Sequence, residues 1–395
     1  MANSLSNKQR ITIVSFLAYF ILSGMLAPIG IIAGPMAALF DQPITDVVAR
    51  FSWLTLGNLA GAVLALFMYD WISLKRLMLI LYSVILISLL SFNISTDLTA
   101  IGLALGLVGL CSGLGLAGAA LTISKSYDTE KRASMLVITD SFFSVAGIVC
   151  GALATWFIAR EFFWASTYQF VAAVSIVVLI LVSISEFPST TSETKETSPT
   201  AKWPLTVWLC LTALFLYTLG QYSMLWWLPN YAETKLGATP EQAGNLVGLF
   251  WQGMFAAAIF VSWWVLKVGV RRLVIIASVG TTLFSIPLWV YGDIKALPIL
   301  AFLWGFANLS MLKMTLSFAT QMVEIPTPRL VSALLLGATI GTGLSPIITS
   351  QIVAATDNYF ILQFSTICYV ALAVLLITAT RIFKLKRTAG SNPNG

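Results

Sequence analysis

Residues 98–124 read LTAIGLALGLVGLCSGLGLAGAALTIS, a run of 27 residues that contains no Asp, Glu, Lys or Arg. A helix that crosses a bilayer needs about 20 predominantly apolar residues, so this run is long enough to span a membrane. Backbone groups in hydrocarbon must be hydrogen-bonded within the structure, and a barrel strand needs only about 10 alternating residues. The run is therefore predicted to be a transmembrane helix.

Runs of this kind recur along the whole chain. A further span, residues 297–321, is interrupted only by Lys313. Only 10% of the residues are charged, against roughly 25% in soluble domains. The sequence predicts an all-α membrane protein with twelve transmembrane helices, the other ten lying in the charge-free runs 11–40, 51–69, 77–96, 141–159, 162–185, 203–232, 242–266, 273–292, 330–356 and 358–380.

The basic residues predict the orientation of these helices, because loops rich in Lys and Arg stay in the cytoplasm. Of the 22 Lys and Arg residues, 17 fall on the side of the N-terminus, four fall on the other side, and Lys313 lies within a span. Both termini are expected in the cytoplasm of a bacterium, with the chain in its inner membrane. This topology explains the net charge of +6, so nucleic-acid binding is not expected.

The chain repeats itself after about 196 residues. Arg76 and Arg272, which end basic pairs between helices 2 and 3 and between helices 8 and 9, are separated by 196 residues, and Arg132 and Arg329 by 197. Two parallel six-helix repeats are the layout of major facilitator transporters, whose solute site lies near the midplane. The predicted domains are a six-helix bundle over 1–186, a cytoplasmic linker over 187–202, a second bundle over 203–380 and a cytoplasmic tail over 381–395.

Several motifs carry a family resemblance that covers nearly the whole chain. The loop Asp70-Trp-Ile-Ser-Leu-Lys75-Arg76 resembles the major facilitator loop motif, and its second copy, Lys267-Val-Gly-Val-Arg271-Arg272, lacks the acid. A closer likeness is to the TsgA-type branch near the fucose-permease-like transporters. It rests on the motifs Thr139-Asp140-Ser141-Phe142-Phe143-Ser144, Glu186-Phe187-Pro188, Leu219-Gly220-Gln221 and Ile325-Pro-Thr-Pro-Arg329-Leu-Val331.

The resemblance implies a secondary active transporter that moves a small polar or anionic solute by alternating access. It also implies that the loop residues act as a gate between the two bundles; these are Asp70, Lys75, Arg76, Arg271 and Arg272. The TsgA-type likeness does not identify the solute.

Two charged residues fall inside predicted transmembrane helices, Asp140 about five residues into helix 5, just before its charge-free run, and Lys313 in helix 10. A charge within the membrane is costly, so a functional role is the default expectation. We expect Asp140 to couple transport to proton movement, with a structural ion pair as the alternative. Lys313 is expected to bind the solute, with snorkelling to the interface as the alternative. The repeat places Gly337 and Leu116 at the corresponding positions, so each charge belongs to one half only.

Amide and aromatic side chains collect in the second half. Sugars and other polyols bind to this combination, because amides pair with hydroxyl groups and rings cover apolar C–H faces. The alternative is hydrogen bonding between helices and an aromatic belt at the membrane surface. The predicted solute contacts besides Lys313 are Gln221, Trp251, Gln252, Trp304 and Asn308.

Other functions have less support in the sequence. The chain has no histidine and four scattered cysteines, so no metal site, cofactor or enzyme chemistry is expected. The expected partners are the solute, protons in the coupled interpretation, and the lipid bilayer around a monomer. A drug or metabolite efflux antiporter and a non-transporting membrane sensor stay open as alternatives.

Overall fold

The computed structural model describes residues 6–188, 203–323 and 328–390, which form helices and turns without a strand. The first half contains α1 (Asn7–Leu26), α2 (Ile29–Phe40), α3 (Ile44–Arg50), α4 (Ser52–Trp71), α5 (Leu74–Ser91), α6 (Leu98–Ser126), α7 (Thr129–Ile158) and α8 (Ser166–Ser183). The second half contains α9 (Leu205–Leu236), α10 (Pro240–Val268), α11 (Val270–Ser285), α12 (Pro287–Val290), α13 (Leu297–Ala307), α14 (Met311–Thr320), α15 (Pro328–Ala355) and α16 (Asn358–Gly390).

Twelve segments among the described residues are long and apolar enough to cross a membrane. The predicted all-α fold with twelve spans is thereby confirmed. The predicted run 11–40 differs in one respect, because it consists of the span α1 and the shorter helix α2. Pro28 separates them, since proline has no backbone N–H to continue the hydrogen bonds of α1.

The chain packs as two compact units. The described residues of Met1–Lys195 and Ala238–Gly248 form the first unit, and those of Glu196–Gly237 and Leu249–Gly395 form the second. The first two turns of α10 thus belong to the first unit, where Gly244 packs against Thr155 of α7. The predicted linker beyond Pro188 and the end of the tail, 391–395, lie outside the described residues.

In the first unit, α4 and α6 cross at very short range. A Cβ atom on Gly57 would collide with the carbonyl oxygen of Gly106, and one on Gly109 would collide with that of Leu54. Small residues at a helix crossing let two backbones approach closely in a membrane.

In the second unit, α10 and α13 repeat this crossing with every residue number raised by 196. Gly253 packs against the carbonyl oxygen of Phe302, and Gly305 packs against that of Phe250. The internal repeat predicted from the basic loops therefore extends to individual backbone contacts within each unit.

Candidate substrate-binding site

Four side chains predicted to contact the solute are buried in the second unit. Gln221 lies on α9, Trp251 on α10, and Trp304 and Asn308 at the end of α13. Their exposed fractions are 3%, 1%, 0% and 0%. The Phe250 ring connects the two indoles, with its centroid 5.4 Å from that of Trp251 and 4.2 Å from that of Trp304. These residues form an aromatic and amide cluster, called the second-unit cluster below.

The predicted helix 10 is interrupted beside this cluster, because α13 and α14 are separate helices. Leu309 and Ser310 between them have positive φ angles of 42° and 54°. This backbone region costs a non-glycine residue roughly 1–2 kcal/mol. The Asn308 side chain donates from Nδ2 to the carbonyl oxygen of Trp304 at 2.7 Å. Asn308 thus satisfies a carbonyl group that the end of α13 leaves without a helical partner.

The cluster continues to α16 through Tyr369, which sequence analysis did not single out. Gly220 of α9 lies so close to α16 that a Cβ atom there would stand 3.3 Å from Cε1 of Tyr369. The fully buried Tyr369 hydroxyl faces the Trp304 indole. A single tyrosine within a charge-free span differs in no sequence feature from the other tyrosines of the chain, so it could not have been selected.

Two amide oxygens of the cluster, Gln221 Oε1 and Asn308 Oδ1, are buried and have no hydrogen-bond partner among the described residues. Gln221 directs its Nε2 toward the sulfur of Met254 at 3.8 Å. An unpartnered buried polar group costs about 1–3 kcal/mol. Both oxygens are acceptors, so the cluster can receive O–H or N–H donors from a bound solute.

The other two predicted solute contacts lie outside the buried cluster. Gln252 is exposed, because it follows Trp251 on α10 and therefore points about 100° around the helix from it. Lys313 is half-buried in the first turn of α14. The break before α14 places Lys313 and Asn308 on different helical segments, which counting positions along one continuous helix did not anticipate.

Asp140 lies on α7 in the first unit and is half-buried. α1 packs against this stretch of α7, with the rings of Phe16 and Phe142 stacked 4.4 Å apart. Tyr19 of α1 lies close enough for its hydroxyl to interact electrostatically with the Asp140 carboxylate. The contact between α1 and α7 therefore contains a carboxyl group with a neighbouring phenol.

The predicted gate residues of the first loop have different environments. Asp70 and Arg76 are exposed, whereas Lys75 is half-buried. Lys75 donates from Nζ to the carbonyl oxygens of Ser183 and Ser185, both at 2.8 Å. Lys75 thus holds the C-terminal end of α8 within the first unit.

The second copy of the loop turns at Gly269, whose φ of 80° is in the region that favours glycine. Arg271 is half-buried and Arg272 exposed, both in the first turn of α11. Lys267 lies over the ring of Trp263, with Nζ 4.5 Å from the ring centroid. Gly269 therefore has a backbone role in this loop.

No group of three or more His, Cys, Asp and Glu side chains comes together within residues 6–188, 203–323 and 328–390.

Comparisons with known proteins agree with the fold. The family model described as the Major Facilitator Superfamily matches residues 11–239 and 210–395. The chain is 27% identical over 379 residues to a TsgA homolog of Buchnera aphidicola subsp. Schizaphis graminum, covering 96% of this chain and 97% of that one. It is 28% identical over 356 residues to TsgA of Salmonella arizonae, covering 88% and 89%.

Solved transporters have the same fold at low sequence identity. A crystal structure of the nucleoside transporter NupG superimposes with a TM-score of 0.69 at 15% identity, covering 95% of this chain and 99% of that one. A D-xylose-proton symporter gives 0.74 at 14% identity, covering 94% and 97%. With twelve candidate spans and bacterial relatives, the chain fits a multi-pass protein of the bacterial inner membrane. The family match and the TsgA relatives confirm the predicted resemblance: the chain belongs to the Major Facilitator Superfamily and is a transporter of small solutes, not an enzyme.

Proposed function

We propose that the solute binds in the second unit, at the cluster of Gln221, Trp251, Trp304 and Asn308. The observation that carries this proposal is the pair of buried amide oxygens, Gln221 Oε1 and Asn308 Oδ1, that find no hydrogen-bond partner in the part of the chain that the structure describes. Because both are acceptors, the solute supplies hydroxyl or N–H donors to them. Aromatic rings cover its apolar faces, and Lys313 at the start of α14 adds affinity for a polar or anionic group.

A binding panel tests this site. Purified protein is titrated with sugars, polyols, nucleosides, sugar acids and simple organic acids, with thermal stabilisation as the readout. Each lost hydrogen bond to an uncharged group is expected to cost about 0.5–1.5 kcal/mol, so Gln221→Ala and Asn308→Ala should each weaken binding of the active compound roughly 2- to 13-fold. Gln351→Ala, which removes an exposed glutamine of α15, is the matched control.

Gln252→Ala and Lys313→Ala refine the assignment. Gln252 is exposed beside Trp251, so loss of binding in Gln252→Ala would extend the site to that face of α10. Lys313→Ala should weaken an anionic compound more than its neutral analogue. Unchanged affinity in both Gln221→Ala and Asn308→Ala would place the solute elsewhere.

We further propose that Asp140 carries the coupling proton, with the Tyr19 hydroxyl as its neighbour. The support is a membrane-embedded carboxyl group that the repeat does not duplicate, since Gly337 stands at the corresponding position. In proteoliposomes, Asp140→Asn should abolish accumulation driven by a pH gradient and retain exchange of solute in both directions. Unchanged pH dependence of transport in Asp140→Asn would exclude this role.

The loop residues are proposed to control the rate of alternating access. Asp70, Arg76, Arg271 and Arg272 lie at helix ends and outside the second-unit cluster, and the resemblance to the loop motif supports the role. Asp70→Asn should change the transport rate more than the solute affinity. Loss of affinity at an unchanged exchange rate would contradict it.

We also propose that both termini lie in the cytoplasm and that the transporter functions as a monomer. The excess of basic residues on one side supports the orientation. A single cysteine introduced at Ser192 should resist an impermeant reagent in intact cells, and the four native cysteines are buried, which keeps background labelling low. Light scattering of the purified protein measures the mass.

A further inference from the structure

Three helix ends of the first unit meet around Ser185, just after α8. Asn7, at the start of α1, donates from Nδ2 to the carbonyl oxygen of Glu186 at 2.8 Å, and its Oδ1 accepts from the Glu186 backbone N–H at 2.8 Å. Lys75, at the start of α5, donates to the carbonyl oxygens of Ser183 and Ser185. The turn after α8 is thereby held between α1 and α5.

Arg10 lies on α1 one turn after Asn7, the residue that contacts this turn. At about 100° per residue, Arg10 is displaced by roughly 60° from Asn7 around α1 and by roughly 160° from Lys8. Lys8 occupies the other side of α1, where its Nζ lies 4.0 Å from the centroid of the Tyr127 ring. The arginine thus lies on the Asn7 side of α1, one turn beyond the contact with Glu186.

Two buried polar atoms, Arg10 Nε on α1 and Ser185 Oγ in the turn, have no hydrogen-bond partner among the described residues. Ser185 is 1% exposed, and Arg10 is half-buried. The Lys75 ammonium has three donors and uses two of them on backbone carbonyl oxygens. Donors therefore outnumber acceptors around the turn.

The described residues of this turn carry more positive than negative charge, and among them neither Arg10 nor Lys75 forms a salt bridge. The acid beside the turn is Glu186, whose side chain is exposed. An unpaired charge that is partly withdrawn from water is costly unless an anion accompanies it. A guanidinium group, a hydroxyl and an ammonium are the donors that bind phosphoryl oxygens.

We propose that Arg10, Ser185 and Lys75 form a binding site for a phosphoryl anion at the end of the first unit, separate from the solute site. Arg10 binds two oxygens of the anion through its planar fork, and the Ser185 hydroxyl donates to a third. Lys75 contributes its remaining donor. Either the headgroup phosphate of an anionic lipid or free inorganic phosphate supplies this chemistry. The side marked by the basic residues as cytoplasmic faces the leaflet where anionic lipid attracts Lys and Arg.

Thermal-shift titrations of the purified full-length protein in detergent test the site. The probes are dioctanoyl phosphatidylglycerol, inorganic phosphate, and dioctanoylglycerol, which lacks the phosphate. Saturable stabilisation by the phospholipid is expected, with none from dioctanoylglycerol. Arg10→Gln should raise the apparent Kd at least about tenfold, because hydrogen bonds to charged groups contribute roughly 1.5–3 kcal/mol. Saturable stabilisation by inorganic phosphate at similar concentrations would identify the free anion as the ligand.

Lys8→Gln is the matched control, since it removes the same charge from the opposite side of α1. It should change the apparent Kd less than about twofold, as expected for an exposed charge screened by salt. Equal losses in Arg10→Gln and Lys8→Gln would reduce the effect to general surface charge and overturn the site. So would the absence of saturable stabilisation by both phosphate compounds. Should Arg10→Gln fail to fold, Ser185→Ala decides the question, because it keeps every charge and should still weaken binding severalfold.

Discussion

The helix pair α4 and α6 and the helix pair α10 and α13 make the same crossing 196 residues apart, but the two crossings differ in length. In the first unit the close approach continues to Gly113, where a Cβ atom would collide with the carbonyl oxygen of Asn58. The position 196 residues later is Leu309. α6 runs unbroken from Leu98 to Ser126, whereas its counterpart ends at Ala307 and begins again at Met311.

A leucine side chain explains this difference. It cannot occupy a helical position where the neighbouring backbone leaves no room for a single carbon atom. The second unit resolves the conflict by interrupting the helix, with Leu309 in a left-handed conformation and 5% exposed. The interruption falls next to Asn308 and Trp304, so a packing difference between the halves creates the irregular backbone beside the candidate site.

The largest expected effect is on the crossing that the two units share. Gly109→Ala and Gly305→Ala each place a carbon atom against a backbone carbonyl oxygen. Since backbone cannot move aside as a side chain can, each change should cost more than the 1–3 kcal/mol that is typical of overpacking. Both variants should lose folded protein after extraction, as measured by fluorescence-detected size exclusion.

Gly34→Ala is the control for this pair, because a Cβ atom at Gly34 meets nothing within 4 Å. That change should be neutral or stabilise by about 0.5–1 kcal/mol, the usual gain of alanine over glycine within a helix. Normal yield of Gly109→Ala with loss of Gly305→Ala would show that the two crossings are not equivalent.

A medium effect is expected where the crossings diverge. Leu309→Gly removes the strain of a left-handed non-glycine residue, a gain of roughly 1–2 kcal/mol, but it also removes a buried leucine side chain, a loss of about 3–5 kcal/mol. A net destabilisation of roughly 1–4 kcal/mol is therefore expected. Gly113→Leu introduces the same residue into the first unit and should destabilise it strongly. Melting temperatures of the two variants measure this asymmetry. A loss of stability in Leu309→Gly as large as that in Gly113→Leu would contradict it, since the two positions would then tolerate the exchange equally poorly.

Charge counting found all twelve spans, because the cost of charge in hydrocarbon is a property of composition. The repeat was visible in Arg76 and Arg272 because loop positions survive as landmarks. The interruption after Asn308 was not predictable, since Leu309 is apolar and counts toward a span like any other leucine. Its effect depends on how closely α10 and α13 pack, and therefore on contacts between distant parts of the chain.

The candidate sites show the same limit. Gln221 and Asn308 were recognisable as amides within apolar runs, and Asp140 as an acid within a predicted membrane helix. Tyr369 and Ser185 were not, because their roles follow from which helices surround them. The residue type predicts which side chains are unfavourable to bury. Whether a neighbouring residue compensates by a hydrogen bond or an ion pair depends on the tertiary structure.

The smallest expected effect concerns an ion pair of the second unit, Lys235 and Asp357, whose positions correspond by the 196-residue shift to Leu39 and Glu161 in the first unit. In the second unit Lys235, in the last turn of α9, donates from Nζ to Asp357 Oδ2 at 2.5 Å. This hydrogen bond holds the pKa of the Asp357 carboxyl below its ordinary value. Leu39 in the first unit is exposed and cannot make such a pair, so only the second unit should respond to acid through this position.

The sign of the response follows from the direction of the pKa shift. A carboxyl group whose pKa is lower in the folded protein stabilises fully above its unfolded value, about 3.9 for Asp, and loses that contribution as the pH falls through the folded value. The pair is exposed, with 45% and 38% of the side chains accessible, so its contribution should be at most about 1 kcal/mol. Asp357→Asn should therefore lower the melting temperature by about a degree or two near pH 7 and by less below about pH 4, where the wild-type carboxyl becomes protonated.

Glu161→Gln, the matched change in the first unit, should leave the pH dependence of melting unchanged. Asp357 Oδ1 also accepts a hydrogen bond from the Tyr359 backbone N–H at the start of α16, at 3.5 Å. A difference in melting temperature between Asp357→Asn and wild type that does not change with pH would mean that the charge of Asp357 does not contribute. The side chain would then act through this helix cap.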